Sequence, residues 1–412
     1  MFKINRLILE NGLRLVHVED TSTQMVALNI VYDVGARDEH PEHTGFAHLF
    51  EHLMFGGSLN IPDYDTPLQL AGGENNAWTN NDITNYYLTV PRQNVETGFW
   101  LESDRMLGLA FSERSLEVQR GVVMEEFKQR CLNQPYGDVG HLIRPLAYRV
   151  HPYQWPTIGK ELSHIAQATL DEVRDFFYRH YAPNNAVLAV SGNITWEETV
   201  RLTQKWFGPI PRREVPMRQL PQEPEQTEER RLTVERPVPL DALFMAFRMC
   251  RRDDPDYYAF DILSDILSNG RSSRLNRRLV QEQKLFSSID AYISGSRDAG
   301  LIHISGKPSP GVSLDEAEAA VREELEQLRH CPVDELELEK VKNKFESAQI
   351  FGNIHYLNVA TNLAWFELAG RAEDMDREVD NYRSVSADHL RQVAERAFRR
   401  ENGVVLHYRK KQ

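Results

Sequence analysis

The segment His48–His52 reads His-Leu-Phe-Glu-His and holds the residue types of this chain that could do chemistry. Two histidines four residues apart lie on one face of a helix, about one turn or roughly 5–6 Å from each other. This spacing allows both imidazoles to bind one Zn²⁺ from the same side. Glu51 precedes the second histidine and is near enough to act on a water at the metal without binding the metal itself. Two surface or capped histidines on an ordinary amphipathic helix are the competing interpretation.

The order H-x-x-E-H is the reverse of the commoner H-E-x-x-H zinc motif and is the inverzincin signature. A catalytic zinc takes three protein ligands and a water, so a third ligand must come from elsewhere in the chain. Glu126 is one candidate, because Gln119, Val122 and Glu126 fall on one face of a predicted helix. A solvated surface glutamate is the alternative for this residue.

The elements that must position these residues are predicted from the local sequence pattern. Thr44 is the predicted N-cap of the motif helix, which ends at Gly56-Gly57. The run from Tyr136 to Lys160 is predicted to be rich in loops. The other predicted elements are a hairpin over residues 6–16, strands over Val26–Tyr32, Thr84–Val90 and Ala186–Ser191, and helices over Pro67–Gly72, Asn94–Leu109, Glu113–Arg130 and Leu170–Tyr181.

The residues Asn76, Ala77, Trp78 and Thr79 lead into the strand Thr84–Val90 and are predicted to form an edge hairpin with it. An edge strand offers unpaired backbone groups, so an extended peptide could bind there as an added strand. We therefore predict these four residues as the substrate-binding segment. A plain edge hairpin is the alternative.

Composition limits the class of protein. A chain of 412 residues suggests two or more domains, and a hydrophobic content of 41% indicates a globular protein. The net charge of −13 argues against binding to a nucleic-acid backbone as the main function. Three scattered cysteines, Cys131, Cys250 and Cys331, fit a reducing compartment. Without a signal-peptide core or a membrane span in the sequence, we expect a cytoplasmic protein with no membrane partner, and a chain from which a signal was trimmed is the alternative.

A repeat with an offset of 217 residues divides the chain, since Thr169 matches Ser386 and Asn185 matches Asn402. A stretch rich in proline and charge, residues 209–230, is predicted to be an extended and exposed linker. The predicted fold class is α+β, with two homologous halves that are each a mostly antiparallel sheet covered by helices. The catalytic half spans residues 1–208 and the second half spans residues 231–412.

The second copy lacks the metal-binding residues of the first. When Gly56 is aligned with Gly270, the positions of His48, Glu51 and His52 are taken by hydrophobic and acidic residues, namely Ile262, Asp265 and Ile266. We therefore expect no metal site in the second half, which would serve as a binding wall or a packing partner.

Together these features resemble the pitrilysin and insulin-degrading-enzyme family of zinc metallopeptidases, in its short two-half type typified by mitochondrial processing peptidase and bacterial relatives. The resemblance rests on the repeat, on G-x-x-H-L-x-E-H-x-x-F-x-G (Gly45–Gly57), on N-A-x-T (Asn76–Thr79) and on Q-R-G-V-V-M-E-E (Gln119–Glu126). It implies one Zn²⁺ per chain, with Glu126 as the third ligand and Glu125 as the alternative. Gln119, where the family often has a glutamate, is given a supporting role in shaping the site.

The resemblance also bears on partners. Family members that act alone carry an Arg and a Tyr seven residues apart in the second half, which are thought to hold the substrate. Alignment of Glu282-Gln283 with the family puts Leu279 and Phe286 at those two places, and neither side chain is polar. The resemblance therefore implies a dimer with a related chain that supplies the Arg/Tyr pair, or a homodimer as the alternative.

The predicted function is that of a zinc-dependent endopeptidase which cleaves peptides or unfolded segments bound as an added β-strand. His48, His52 and Glu126 would hold the zinc, and Glu51 would be the general base. One alternative is a non-catalytic structural or peptide-binding subunit of a related peptidase complex, and another is an assembly module that retains zinc without turnover. Peptide cleavage by the wild type and not by a Glu51 variant would separate these classes.

Overall fold

The computed structural model describes residues 2–411 as strands β1 to β11 and helices α1 to α14. The strands are β1 (Asn5–Ile8), β2 (Arg14–Glu19), β3 (Met25–Tyr32), β4 (Glu74–Thr79), β5 (Thr84–Pro91), β6 (Ala186–Gly192), β7 (Arg230–Arg236), β8 (Ala242–Arg248), β9 (Phe286–Ile293), β10 (Leu301–Pro308) and β11 (Gly403–Lys410). The helices are α1 (Phe46–Leu53), α2 (Asp65–Leu70), α3 (Val95–Leu107), α4 (Glu113–Phe127), α5 (Val139–Ala147), α6 (Leu162–Ala166), α7 (Leu170–His180), α8 (Trp196–Trp206), α9 (Tyr257–Ser268), α10 (Leu314–His330), α11 (Glu335–Gly352), α12 (Tyr356–Leu368), α13 (Glu378–Ser384) and α14 (Ala387–Ala397). None of the helices formed by residues 2–411 is both long and apolar enough to cross a lipid bilayer.

The chain forms two compact units, and each takes a segment from the far end of the sequence. The first unit contains residues 2–129, 155–220 and 349–378, and the second contains residues 130–154, 221–348 and 379–411. Helix α12 therefore belongs to the first unit, and helix α5 belongs to the second. The contiguous halves predicted from the sequence, 1–208 and 231–412, differ from these units by the two exchanged segments.

The sheet of the first unit has the strand order β1-β2-β6-β3-β5-β4. Its pairs are antiparallel except for β2 with β6. One face packs against an apolar cluster that includes residues of α1, α3, α7 and α8, and the other face packs against α12. The hairpin predicted over residues 6–16 and the strands predicted at β3, β5 and β6 are confirmed, because their apolar residues fill this two-sided core.

The sheet of the second unit has the order β7-β11-β8-β10-β9, which repeats the order β2-β6-β3-β5-β4 of the first sheet without a counterpart of β1, and it has one parallel pair, β7 with β11. The predicted offset of 217 residues carries α7 onto α14 and the start of β6 onto the start of β11. The side-chain amide of Asn185 donates to the carbonyl oxygen of His180 at 2.8 Å, and that of Asn402 donates to the carbonyl oxygen of Ala397 at 2.7 Å. The α+β fold of two homologous halves is therefore confirmed.

Helix α5 interrupts the segment Tyr136–Lys160, which is otherwise rich in loops and turns as predicted. Pro145 and Gly140 weaken the helical signal of this segment, but tertiary packing overrides it. Ile143 and Ala147 are buried in the second unit against an apolar cluster formed by β8, β11 and neighbouring residues. In the first unit α12 packs against the sheet in the same way, through small residues, since Ala360 and Ala364 are fully buried there. Both sheets thus have their second face covered by a helix.

The predicted linker, residues 209–230, contains no helix or strand in the described chain until β7 begins at Arg230. Side chains nevertheless anchor its middle part at two places. Arg218 donates to Asp38 at 2.6 Å within the first unit, and Arg248 donates to Glu223 at 2.8 Å within the second. The segment is therefore extended, but it is fixed to each unit by an ion pair.

Candidate zinc centre

Helix α1 carries the histidine motif on the side opposite its apolar stripe. Phe50 stacks on Tyr181 with the ring centroids 5.1 Å apart, which fixes the helix on the core of the first unit. His48 is buried, whereas Glu51 and His52 are partly buried. The residues that form the buried stripe are Phe46, Leu49, Phe50 and Leu53.

The start of α1 differs from the prediction, because Gly45 and not Thr44 is the N-cap. Gly45 has a φ of 88°, in the left-handed region that favours glycine. A Cβ at this position would lie 2.9 Å from the backbone carbonyl oxygen of Ile158, so the close packing also requires glycine. Thr44 instead accepts a hydrogen bond from the backbone amide of Lys160 at 2.8 Å, and its hydroxyl lies 2.9 Å from Nδ1 of His164. Thr44 therefore fixes the chain that enters the helix.

Helix α4 positions Glu126 in its last turn. The side chain of Ser112 caps the start of the helix by accepting from the amide of Ser115 at 3.1 Å. Arg120 donates to the carbonyl oxygen of Ala168 at 3.0 Å and so fixes the middle of the helix. Beyond α4 the chain continues as a π-helical turn over Lys128–Leu132. The buried face of α4 consists of Leu116, Val123 and Phe127.

His48, His52 and Glu126 meet in space, and the distances from Glu126 to the two histidines match those of a tetrahedral metal site. Oε2 of Glu126 lies 3.5 Å from Nε2 of His48 and 3.3 Å from Nε2 of His52. Tetrahedral zinc with ligand distances of about 2.0–2.2 Å requires about 3.3–3.5 Å between its ligand atoms. Two imidazole nitrogens and one carboxylate oxygen are also donors that zinc prefers. The three residues therefore fit a zinc ion.

Across the described residues 2–411, no other group of three His, Cys, Asp or Glu side chains brings its ligand atoms as close as these three, which lie within 4.8 Å of one another. Glu125, the alternative third ligand, is not part of the group. Its side chain is 55% exposed and lies 3.5 Å from Nζ of Lys128. Gln119, the predicted supporting residue, lies two turns before Glu126 on α4 and is partly buried.

Glu51, the predicted general base, lies near two buried tyrosines under α1. Burial raises the pKa of the Tyr86 and Tyr181 phenols, and the charge of Glu51 adds to the rise. The hydroxyl of Tyr86 donates to the carbonyl oxygen of Phe50 at 3.3 Å, one residue before Glu51. These contacts hold the turn of α1 that carries the carboxylate.

Two buried groups near α1 were missed by sequence reasoning, Glu39 before the helix and Arg105 on α3. Arg105 is fully buried and donates to Glu102 at 2.8 and 2.6 Å. Its guanidinium carbon lies 4.7 Å from the ring centroid of Tyr64 and 4.5 Å from that of Tyr86. Nothing in the spacing of Glu102 and Arg105 distinguishes this pair from an exposed one. A glycine at the N-cap has no side chain to accept from the first amides of the helix, so Gly45 was the sequence signal that a group such as Glu39 is needed. The prediction of Thr44 as the N-cap hid this signal.

The four residues of the predicted substrate-binding segment lie on β4, which is the edge strand of the first sheet and pairs only with β5. Their side chains alternate between the two faces. Ala77 packs against the cluster that contains α1, whereas Trp78 packs against the cluster that contains α12. The amide of Ala77 donates to the side-chain oxygen of Asn76 at 2.8 Å. The side chain of Trp78 therefore points away from the face with the histidines, and Thr79 ends the strand.

The second unit buries the residues that replace the motif. Ile262 is 0% exposed and Ile266 is 1% exposed, while Asp265 accepts from Lys344 at 2.8 Å. Leu279 and Phe286, which stand where the family has its polar pair, are each 1% exposed. These side chains serve packing in the second unit.

Comparisons with known proteins show which family this chain resembles. A model of the insulinase family (peptidase family M16) matches residues 14–159, and a model described as the peptidase M16 inactive domain matches residues 167–345. The chain is 28% identical to the zinc protease PqqE of Helicobacter pylori, over 82% of this chain and 78% of that protein. It is 24% identical to the uncharacterized zinc protease YmxG of Bacillus subtilis, over 98% of each.

Solved structures share the whole fold. The crystal structure of a protease from Helicobacter pylori superposes with a TM-score of 0.93 at 25% identity, over 99% of this chain and 100% of that chain. A peptidase M16 inactive domain from Pseudomonas fluorescens has a TM-score of 0.90 at 16% identity, over 100% of this chain and 98% of that chain, and supports the fold alone. The family models, the zinc-protease relatives and the shared fold together establish that this chain belongs to peptidase family M16, the insulinase and pitrilysin type.

Proposed function

We propose that this chain is a zinc-dependent endopeptidase that cleaves peptides or unfolded segments. The observation that carries the proposal is the meeting of His48, His52 and Glu126, whose ligand atoms lie within 4.8 Å of one another. The zinc-protease relatives support the same chemistry. One such group in the described residues supports one zinc per chain.

The roles of the individual residues follow from their chemistry. His48, His52 and Glu126 hold the zinc, which when bound supplies a Lewis acid that lowers the pKa of water towards about 7. Glu51, three residues from His48 on the same helix, accepts the proton of the attacking water and later passes it to the leaving amine. The Tyr86 and Phe50 contacts under α1 keep this carboxylate in register with the histidines.

The edge strand β4 offers a place for the substrate. A peptide that adds to β4 would present its own carbonyl to the amide of Ala77, which now donates to Asn76 at 2.8 Å. Hydrogen bonds between β4 and the peptide would involve the main chain of the peptide and not its side chains, so we expect little sequence selectivity. Most strands of a folded protein are already paired within its own sheets, whereas an extended peptide has its whole backbone free, and the proposed substrates are therefore extended peptides.

We further propose that the chain works as a dimer. Positioning of an extended peptide and exclusion of water both require a wall that faces the zinc centre. The buried side chains of Leu279 and Phe286 cannot hold a substrate through polar contacts. The proposed partner is thus a related chain with Arg and Tyr at the corresponding places, and a homodimer is the alternative.

The test compares wild type, Glu51→Gln and Glu42→Gln in hydrolysis of a quenched fluorescent peptide, with zinc content measured alongside. Glu51→Gln keeps the size of the side chain but cannot accept a proton, so hydrolysis should fall by about 10²–10⁴-fold while zinc is retained. Glu42 is exposed in the loop before α1, and its variant should match the wild type.

Near-wild-type hydrolysis by Glu51→Gln would refute the role of the general base. A wild-type chain that binds zinc and peptide but cleaves nothing, with or without the related chain, would refute the proposed activity. That result would favour the non-catalytic peptide-binding subunit.

A further inference from the structure

The first turn of α1 leaves backbone amides that its own sequence does not satisfy. A helix begins with four N–H groups that have no partner within the helix, and a Ser, Thr, Asp or Asn at the N-cap usually accepts from one of them. Gly45 occupies the N-cap of α1 and has no side chain to do so. A cap for this helix must therefore come from elsewhere in the chain.

Glu39 supplies that cap from the loop before the helix. Its Oε2 accepts from the amide of Gly45 at 2.9 Å, and its Oε1 accepts from the amide of Ala47 at 2.8 Å. The residue is only 6% exposed, so water competes little for these hydrogen bonds. The indole of Trp155 donates to the carbonyl oxygen of Ala36 at 2.9 Å and holds the loop that carries Glu39.

We propose that Glu39 is a positioning residue of the zinc centre, which fixes the first turn of α1 and thereby sets the position of His48. The inference rests on the proposed function, because it requires His48 to be a zinc ligand. Ala47, whose amide Glu39 holds, is the residue directly before His48. The 3.5 Å between Nε2 of His48 and Oε2 of Glu126 matches a tetrahedral site. A displacement of about 0.5 Å is enough to spoil such a geometry.

A cap that acts only on helix stability is the competing interpretation. Such a cap would lower the melting temperature when removed and would leave the zinc centre unchanged in molecules that are still folded. A positioning role instead requires weaker zinc binding and altered coordination under conditions where the protein is fully folded. The two interpretations therefore differ in the metal readout and not in the stability readout.

The experiment measures zinc affinity by competition with a chelator, and the visible absorption spectrum of the Co²⁺-loaded full-length chain. Glu39→Gln keeps one acceptor oxygen and Glu39→Ala keeps none, so the loss of affinity should be graded. We expect about 10–100-fold weaker zinc binding for Glu39→Ala, the range found for groups that orient metal ligands, and a smaller loss for Glu39→Gln. Glu42→Gln, in the same loop, is the matched control and should bind zinc as the wild type does.

A folded Glu39→Ala chain with wild-type zinc affinity and a wild-type Co²⁺ spectrum would overturn the inference. If Glu39→Ala does not fold, Glu39→Gln decides, and unchanged affinity in that variant overturns it equally. Neither readout requires peptide cleavage. A chain that binds zinc through His48 but never cleaves a peptide would therefore refute the proposed function and leave the role of Glu39 intact.

Discussion

Glu39 should make the stability of the chain depend on pH in a defined direction. Burial raises the pKa of Glu39 from 4.5 to about 8, against the lowering effect of the Ala47 and Gly45 amides. The folded state then binds this proton more tightly than the unfolded chain does. The resulting stabilisation is fully present below about pH 4.5 and is lost as the pH rises to about 8. The difference between a pKa of 4.5 and one of about 8 corresponds to at most about 5 kcal/mol.

Glu39→Gln removes the titrating proton at nearly constant size. Both proteins would be unfolded by heat between pH 5 and pH 9 with a chelator present, so that zinc does not contribute and other titrating groups cancel in the difference. The Tm of the wild type relative to the variant should fall by about 1–2 °C per pH unit up to about pH 8 and then level off. Parallel curves would refute a buried titrating carboxyl at Glu39. A relative gain with rising pH would place its folded pKa below 4.5.

The remaining predictions concern the metal, a buried ion pair and the partner. Elemental analysis should find about one zinc per chain, with most of it lost in His48→Ala and Glu126→Gln but retained in Glu125→Gln. Full retention of zinc in the Glu126 variant would show that the third ligand is another residue. Arg105→Met leaves Glu102 buried without its counter-charge, so denaturant titration should show a free energy of unfolding lower by about 3–5 kcal/mol. The double variant Arg105→Met/Glu102→Leu should largely restore it, and a loss below about 1 kcal/mol in the single variant would contradict the buried pair. The chain purified alone should be a weak peptidase in the assay, and it should gain activity when a related chain that carries Arg and Tyr is added. Its size would be measured alongside, and high activity from a monomer would contradict the dimer.

Local sequence patterns were sufficient to predict the part of the site whose residues lie together on one short helix. The spacing of His48 and His52 predicts their common face, and the apolar stripe of α1 predicts which side is buried. The meeting of these histidines with Glu126 depends on the packing of α1 against α4, which no local pattern contains. The family motif supplied that pairing, and the 3.3 Å between Glu126 and His52 agrees with it.

The predictions that differ from the structure share one physical cause, which is tertiary packing that overrides local propensity. Thr44 is a better N-cap than Gly45 by residue type, but its hydroxyl accepts from the amide of Lys160 and Glu39 provides the hydrogen bonds of the first turn instead. Helix α5 contains Pro145 and is stabilised by the face of the second sheet. The exchange of α5 and α12 between units could not be read from a repeat, because a repeat specifies which segments are alike and not which sheet each one covers.

In the second copy of the unit, the positions that correspond to the proposed metal ligands of the first copy are used for apolar packing. A buried imidazole needs a metal or a hydrogen-bond partner, whereas a buried isoleucine needs only apolar neighbours. Ile262 and Ile266, at 0% and 1% exposure, therefore keep the helix of the second unit on its core without any ligand. Once the metal requirement is absent, Leu279 and Phe286 are free to contribute apolar area as well. The proposed chemistry is thus confined to the first unit, and in the proposed dimer the related chain would supply the polar pair whose places are taken here by Leu279 and Phe286.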